Sequence, residues 1–301
     1  MKRYVLMTLC LLAVMFTRAQ QVVTVKAGDA QSLLDAVEEA NKRNADKDCK
    51  WLYVLIPDGL YDLGEKVLTR VTGHHIAFIG QSMEGTVIQN KPDVKNEGIS
   101  KTAIFLNRGT DNYFQDLTLK NDLDYYAAGA AGRAVTLQDK GNRTICNRVR
   151  LLSYQDTYYS DNDLSQFYFQ DSEIHGTVDF ICGDGDVWFE RCKIVTEKLN
   201  PTRFDWRGMN TVRNDFREYG TTDAQGRRIT PQSNVVEFKM TRKKQEGDKE
   251  IVTEQRCTVE TIISEQQAAR YTLDNVFGDW KPQCIARQIE KKAKKKMERL
   301  K

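Results

Sequence analysis

Phe114-Gln115-Asp116-Leu117-Thr118-Leu119 is echoed three times further along the chain. The echoes are Cys146-Asn147-Arg148-Val149-Arg150-Leu151, Phe169-Gln170-Asp171-Ser172-Glu173-Ile174 and Phe189-Glu190-Arg191-Cys192-Lys193-Ile194. The first interval is the longest, and the next two shorten slightly from one to the other. A period of roughly 20–25 residues made of short strands and turns predicts a solenoid, because one such turn of chain cannot bury its apolar side alone and must stack on the next. Leucine-rich repeats have similar spacing, but their Leu and Asn ladder is missing. The expected fold is all-β, a right-handed parallel β-helix with short N- and C-terminal helices.

Working outward, Trp51 to Ile56 reads as a buried strand and Pro57-Asp58-Gly59 as its turn. Before it, Gly28 and Asp29 precede a helical pattern of Leu33, Leu34, Ala36, Val37 and Ala40. Residues 200–260 carry dense charge and few apolar runs, and are expected as irregular coils and surface excursions. Ser264 with Gln267 makes a capping box that opens a short helix through Tyr271, and Gly278 and Pro282 end that region.

The N-terminus reads Met1-Lys2-Arg3, then an apolar run from Tyr4 to Phe16, then Thr17-Arg18-Ala19. A basic start, a short apolar stretch and a small-residue exit predict a signal peptide over 1–19, too short to span a bilayer. The expected organisation is that peptide, a β-helix domain over 20–285, and a basic C-terminal tail over 286–301, with the protein secreted or periplasmic. With 40% hydrophobic and 29% charged residues the 301-residue chain is globular. Its net charge of +3 resides at the two ends, +3 in residues 1–20 and +6 in 286–301, leaving −6 between them. That acidic body is no argument for a nucleic-acid partner, and no segment predicts a membrane span. Beyond Cys10, six cysteines form no scaffold spacing, although export would permit a disulfide or two, and three histidines with no CxxC pair predict no metal site.

The repeat directs attention to two carboxylates. Asp156, in Tyr154-Gln155-Asp156-Thr157, and Asp179, in Gly176-Thr177-Val178-Asp179-Phe180, keep the same separation as Cys146 and Phe169, which is one coil. Successive coils are spaced like neighbouring strands, roughly 4.8 Å apart. Two carboxyls so close cannot both ionise freely, so one is expected to hold a proton while the other stays ionised. Asp is also a common turn residue, so spacing alone leaves a turn reading open. Arg133 and Gln155 have nearly the same separation and are expected on neighbouring coils of the same face, where the Gln155 amide can serve a developing oxyanion. Tyr158, Tyr159, Phe167, Tyr168 and Phe180 surround the acids in sequence, and aromatic rings suit sugar stacking as well as core packing.

Gly132-Arg133-Ala134-Val135-Thr136-Leu137, Tyr154-Gln155-Asp156-Thr157 and Gly176-Thr177-Val178-Asp179-Phe180-Ile181-Cys182-Gly183 occur in order and at matching spacing. Together they resemble the pectin methylesterase family of carbohydrate esterases. The resemblance implies that Asp179 is the nucleophile on a galacturonate methyl ester, that Asp156 is the acid and base, and that Gln155 stabilises the oxyanion. It implies no cofactor. Arg133, Tyr159 and Phe180 are the candidate substrate contacts, and the expected partner is methyl-esterified pectin, met by a monomer. Three departures stand out. Arg133 occupies a position that is usually Gln in the family, Cys182 one that is usually Phe, and the family's Leu-Gly-Arg-Pro-Trp motif is not found, as if a coil were missing. Arg203, Arg207 or Arg133 are the candidates to replace that motif's arginine. The same departures motivate the alternative of a relative that binds pectic polysaccharide without turnover.

Overall fold

A computed structural model describes residues 21–128, 132–197 and 264–298, and four short strands between 236 and 262. The chain enters on β1 (Val22–Thr24) and helix α1 (Ala30–Arg43). Six coils follow: β2 (Leu52–Ile56), β3 (Gly59–Asp62) and β4 (Thr69–Val71); β5 (Ile76–Gly80), β6 (Thr86–Asn90) and β7 (Phe105–Asn107); β8 (Tyr113–Asn121) and β9 (Leu137–Asp139). The fourth is β10 (Thr144–Leu152) and β11 (Tyr158–Ser160), the fifth β12 (Gln166–Gln170), β13 (Glu173–Gly176) and β14 (Ile181–Gly183), the sixth β15 (Asp186–Glu190) and β16 (Lys193–Thr196). Strands stack in three parallel columns, β1-β2-β5-β8-β10-β12-β15, β3-β6-β8-β10-β13-β16 and β4-β7-β9-β11-β14. This is a parallel β-helix.

The sequence repeat is the stacking register itself. Phe114, Cys146, Phe169 and Phe189 pair in a row, as do Leu119, Leu151, Ile174 and Ile194. Inward-facing members of these rows fill one core. There Phe78 stacks on Phe114 with centroids 5.1 Å apart, and Tyr158 meets Phe169 edge-on at 4.8 Å.

α1 closes the first coil. Asp29 caps it by accepting the Ser32 N–H at 2.9 Å, and Leu33, Ala36, Val37 and Ala40 form its buried stripe. Those four residues join Val23, Val25 and the interior of the first coils in one core, so the end of the solenoid is covered.

The other large packing surface includes the segment expected as a basic C-terminal tail. Helices α2 (Glu265–Ala268), α3 (Leu273–Phe277) and α4 (Pro282–Met297) follow the coils, and the Ser264–Gln267 capping box is formed in both halves. Pro282, expected to end a region, begins α4, where a ring that lacks an N–H costs nothing. Ala286, Ile289 and Ala293 of α4, with Phe277 and Trp280, pack on Tyr53, Leu55, Ala77, Ile79, Tyr113, Ile145 and Tyr168. The expected basic tail is therefore a helix docked along the outside of the first column. This explains why Leu52–Ile56 is buried at every residue: Leu52, Val54 and Ile56 face the solenoid core while Tyr53 and Leu55 face this outer layer.

In the charged stretch read as irregular, β17 (Val236–Glu237) pairs with β20 (Thr261–Ile262), and β18 (Arg242–Glu246) and β19 (Lys249–Thr253) form an antiparallel hairpin. The signal-peptide expectation falls outside the described residues, as do Arg203 and Arg207. Among the described residues no helix is long and apolar enough to cross a membrane. Cys49, Cys146, Cys182, Cys192 and Cys284 are free thiols.

Candidate active site

Each coil must turn between columns, and it does so through single residues in the left-handed region. One corner carries Asp116, Arg148, Asp171 and Arg191, with φ of 53°, 52°, 50° and 51°. Another carries His75, Asp111 and Arg143, at 51°, 58° and 58°. A left-handed side chain other than Gly costs about 1 kcal/mol, least for Asn and Asp. Opposite charges on successive coils offset part of that cost. Arg148 Nε and Nη2 donate to Asp116 at 2.5 and 3.0 Å, Arg191 Nε and Nη2 to Asp171 at 2.7 and 2.9 Å, and Arg143 Nη2 to Asp111 at 2.6 Å.

The third corner breaks that alternation. Gln155 bridges to Arg133 on one side and to Val178 on the other. The residue after each of the two later positions, Asp156 and Asp179, is left-handed, with φ of 56° and 46°. The Asp156 N–H donates to the Val178 carbonyl at 3.1 Å, and the Ala134 N–H to the Gln155 carbonyl at 3.0 Å. The loop from β10 to β11 thus holds one carboxylate directly beside the carboxylate of the β13–β14 loop. The expected placement of Arg133, Gln155, Asp156 and Asp179 on adjacent coils is observed.

Asp156 is 3% exposed, and its buried Oδ2 has no hydrogen-bond partner among the described residues. Burial, then repulsion from Asp179, lifts its carboxyl to about 7, against the pull of Arg133. Asp179 is less buried, and burial raises it too. The expectation that one acid stays low is corrected to that extent: both are lifted by desolvation. The repulsion between them is mutual, and Asp156, the more deeply buried of the two, is the one that keeps the proton of the pair. Asp139, another buried acid pushed up to about 6, shares the unpartnered Oδ2 but has its Oδ1 held by the Asn107 amide at 2.9 Å and the Gly141 N–H at 3.1 Å.

Arg133 is clamped. Its Nε and Nη2 donate to the two oxygens of Glu97 at 2.9 and 2.7 Å. Tyr159 lies on β11 beyond the acids and joins a cluster with Asp161, which also bonds Gln138 and Lys140. Phe180, the residue after Asp179, is 6% exposed and belongs to the core cluster that holds Tyr158, Ile174 and Leu137.

Two residues that the sequence reading passed over, Tyr125 and Tyr126, pack on Tyr154 beside the acids. Tyr125 stacks on Tyr154 at 4.6 Å with planes 11° apart, and Tyr126, 46% exposed, meets Tyr154 edge-on at 5.7 Å. The Thr177 hydroxyl ties them to the Asp179 loop through the Tyr154 carbonyl, at 2.8 Å, and the Tyr125 hydroxyl, at 3.2 Å. The signal was the Tyr125-Tyr126 doublet just before Arg133, in a stretch with no periodicity to place it.

Comparison with known proteins bears on this arrangement. The Pectinesterase family model matches residues 21–248. Pectinesterase 3 of Solanum lycopersicum is 32% identical over 174 residues, covering 58% of this chain and 30% of the relative. A pectinesterase/pectinesterase inhibitor of Ficus pumila var. awkeotsang is 30% identical over 175 residues, 58% of this chain and 31% of its own. The chain thus spans about a third of the length of these relatives. Among solved structures, a pectin methylesterase from Erwinia chrysanthemi superposes with a TM-score of 0.59 at 20% identity, covering 88% of this chain and 99% of that one. A pectin methylesterase in complex with a hexasaccharide gives 0.60 at 20% identity, over 86% and 98%. The likeness of fold covers nearly the whole of those structures, and the family match runs from β1 past the last coil: the chain belongs to the pectinesterase family.

Proposed function

We propose that this protein hydrolyses methyl esters of galacturonate units in pectin, giving pectate and methanol. The observation that carries the reading is the third corner, where two carboxylates share equivalent positions on adjacent coils while the other two corners alternate charge.

In this reading an ionised Asp179 oxygen attacks the ester carbonyl carbon. The tetrahedral oxyanion accepts a hydrogen bond from the Gln155 amide. Collapse breaks the bond to the methoxy oxygen, which takes the proton held by Asp156 and leaves as methanol. Water then attacks the acyl-enzyme anhydride and gives its proton to the Asp156 carboxylate. The Asp179 carboxylate is released as the leaving group, and the galacturonic acid product departs and ionises to solvent. Burial of Asp156 supports its role as the acid, because a desolvated carboxyl keeps its proton close to neutral pH.

Purified protein given methylated pectin is expected to release methanol, and Asp179→Asn to abolish the release. One feature favours a second reading, binding of pectic polysaccharide without turnover: the family's arginine motif is absent from the sequence. Pectin retention with no methanol from the wild-type protein would select it. The basic and apolar start of residues 1–19 supports a secreted or periplasmic protein.

A further inference from the structure

Glu97 precedes Arg133 by more than a coil's length of chain, and no repeat links them. It follows the short 3-10 turn Val94–Asn96, and its side chain is 19% exposed. Four donors converge on it. Arg133 Nη2 reaches Oε1 at 2.7 Å, and Arg133 Nε, the Arg133 N–H and the Gly132 N–H reach Oε2 at 2.9, 3.2 and 3.3 Å. The loop beyond Glu97 is stitched to the same segment, which leads into β9. The Arg133 carbonyl accepts from the Gly98 N–H at 3.3 Å and the Thr102 hydroxyl at 3.2 Å, and that hydroxyl accepts from the Val135 N–H at 3.1 Å. This is a built clamp, bidentate at the guanidinium and locked at the backbone.

The clamp sits one coil from the acid. Arg133 bridges to Gln155, whose neighbour is Asp156. Among the described residues the charged or titratable groups acting on Asp156 are Asp179 and Cys182 from the following coil and Arg133 and Glu97 from the preceding side. A tightly paired Arg and Glu present little net charge to a third group, whereas either alone presents a full one.

We propose that Glu97 is a positioning residue: by clamping Arg133 it sets how much positive charge reaches the Asp156 carboxyl. The clamp compensates for the cation at a position where a neutral amide is the usual group. An unclamped arginine there would strip the proton from the acid. The assignment rests on the reading of Asp156 as acid and base, and its test does not require turnover.

The full-length protein with carbon-13-labelled aspartate is titrated by NMR, following Asp156 in wild type, Glu97→Gln, Arg133→Gln and the double variant. Glu97→Gln is expected to lower the Asp156 titration point by about half a pH unit or more, and Arg133→Gln to raise it by a similar amount. The double variant is expected to return near wild type, since it removes equal and opposite charges. A loosened loop alone would move both single variants the same way, and that outcome, or no movement in either, overturns the proposal. Glu97→Asp keeps the charge but cannot span both guanidinium nitrogens, so it is expected to lower the point less than Glu97→Gln does. An unmoved Asp156 in that variant overturns the role of the bidentate geometry. Methanol release is measured on the same samples. A titration cycle as expected with no methanol from wild type defeats the esterase reading alone, whereas methanol with a flat cycle defeats the Glu97 assignment alone.

Discussion

Asp156 and Asp179 hold the same left-handed turn on successive coils, at φ 56° and 46°, with the Asp156 N–H bonded to the carbonyl just before Asp179. The backbone, not the side chains, fixes their proximity. Asn tolerates this conformation nearly as well as Asp, while Ala does not. Asp156→Asn and Asp179→Asn are expected to fold fully and to lose methanol release by at least about a thousandfold, a loss of the size seen when a catalytic group is removed. Circular dichroism on the same samples checks the first half. Asp179→Ala should in addition lose about 1 kcal/mol of stability from the turn.

Stability should depend on pH through Asp156. Its folded carboxyl titrates at about 7, above the unfolded value of about 3.9, so the folded state binds the proton more tightly. The contribution is complete below about pH 4 and is lost as pH rises through about 7. Unfolding free energies from urea titrations at pH 4 to 8 are expected to fall across that window, by roughly 2–4 kcal/mol in total from this group. Asp156→Asn should flatten that component and be the more stable protein at pH 8. An unchanged pH slope in the variant would rule this out.

Activity should fall on the same side. If Asp156 protonates the leaving methanol, kcat/KM must decline as pH rises through about 7, because the free enzyme loses its acid there. A stopped assay across pH 5–9, with substrate well below KM, measures this. A kcat/KM that climbs through pH 7 would contradict the assignment of the acid.

Gly176 lies directly beneath the Asp179 turn. A Cβ there would fall on the Phe180 Cβ and come within 2.9 Å of the Thr157 hydroxyl. Gly176→Ala therefore has to displace Phe180 and with it Asp179. Displacements near 1 Å at a reacting group cost about a hundredfold, so kcat is expected to drop by roughly that factor. Wild-type kcat in the purified variant would show that the turn relaxes elsewhere.

The two charged corners are expected to differ in weight. Arg148 is 33% exposed, bonds Asp116 through two nitrogens, and also reaches Glu290 of α4 at 2.8 Å. Arg148→Met should cost about 1–3 kcal/mol and speed hydrogen exchange in α4, since it leaves the half-buried Asp116 without a cation and, among the described residues, with only the Gln115 amide, at 2.6 Å, still bonded to its side chain. Arg191 is 58% exposed, and Arg191→Met should cost no more than about 1 kcal/mol. Chemical denaturation of both variants provides the comparison.

The coil register was legible because the repeat measures the length of each turn of chain, and the third corner followed from it. Arg133 to Gln155 and Gln155 to Val178 are each one such turn, so Gln155 lies between the other two. Contacts that obey no period were not legible. Glu97 meets Arg133 through a loop of unremarkable composition, and Tyr126 reaches Tyr154 only because Thr177 and Tyr125 hold the neighbouring loops together. The docking of α4 was hidden by its own composition. Ala286, Ile289 and Ala293 make a thin stripe that five nearby lysines overwhelm in any average. Phe180 was ambiguous for a different reason, since an aromatic beside an acid reads equally as a sugar platform or as the floor of a turn.

The corner residues also act as a parity check on assembly. A coil stacked on the wrong neighbour, skipping one, would set Asp116 over Asp171 or Arg148 over Arg191, so charge alternation at those corners penalises slipped registers while the chain condenses. At the third corner that check is switched off, because the correct register is the one that sets like charges together. Fidelity there must be supplied by the other two, and a protein whose charged corners were neutralised would be expected to misalign first at its acid pair.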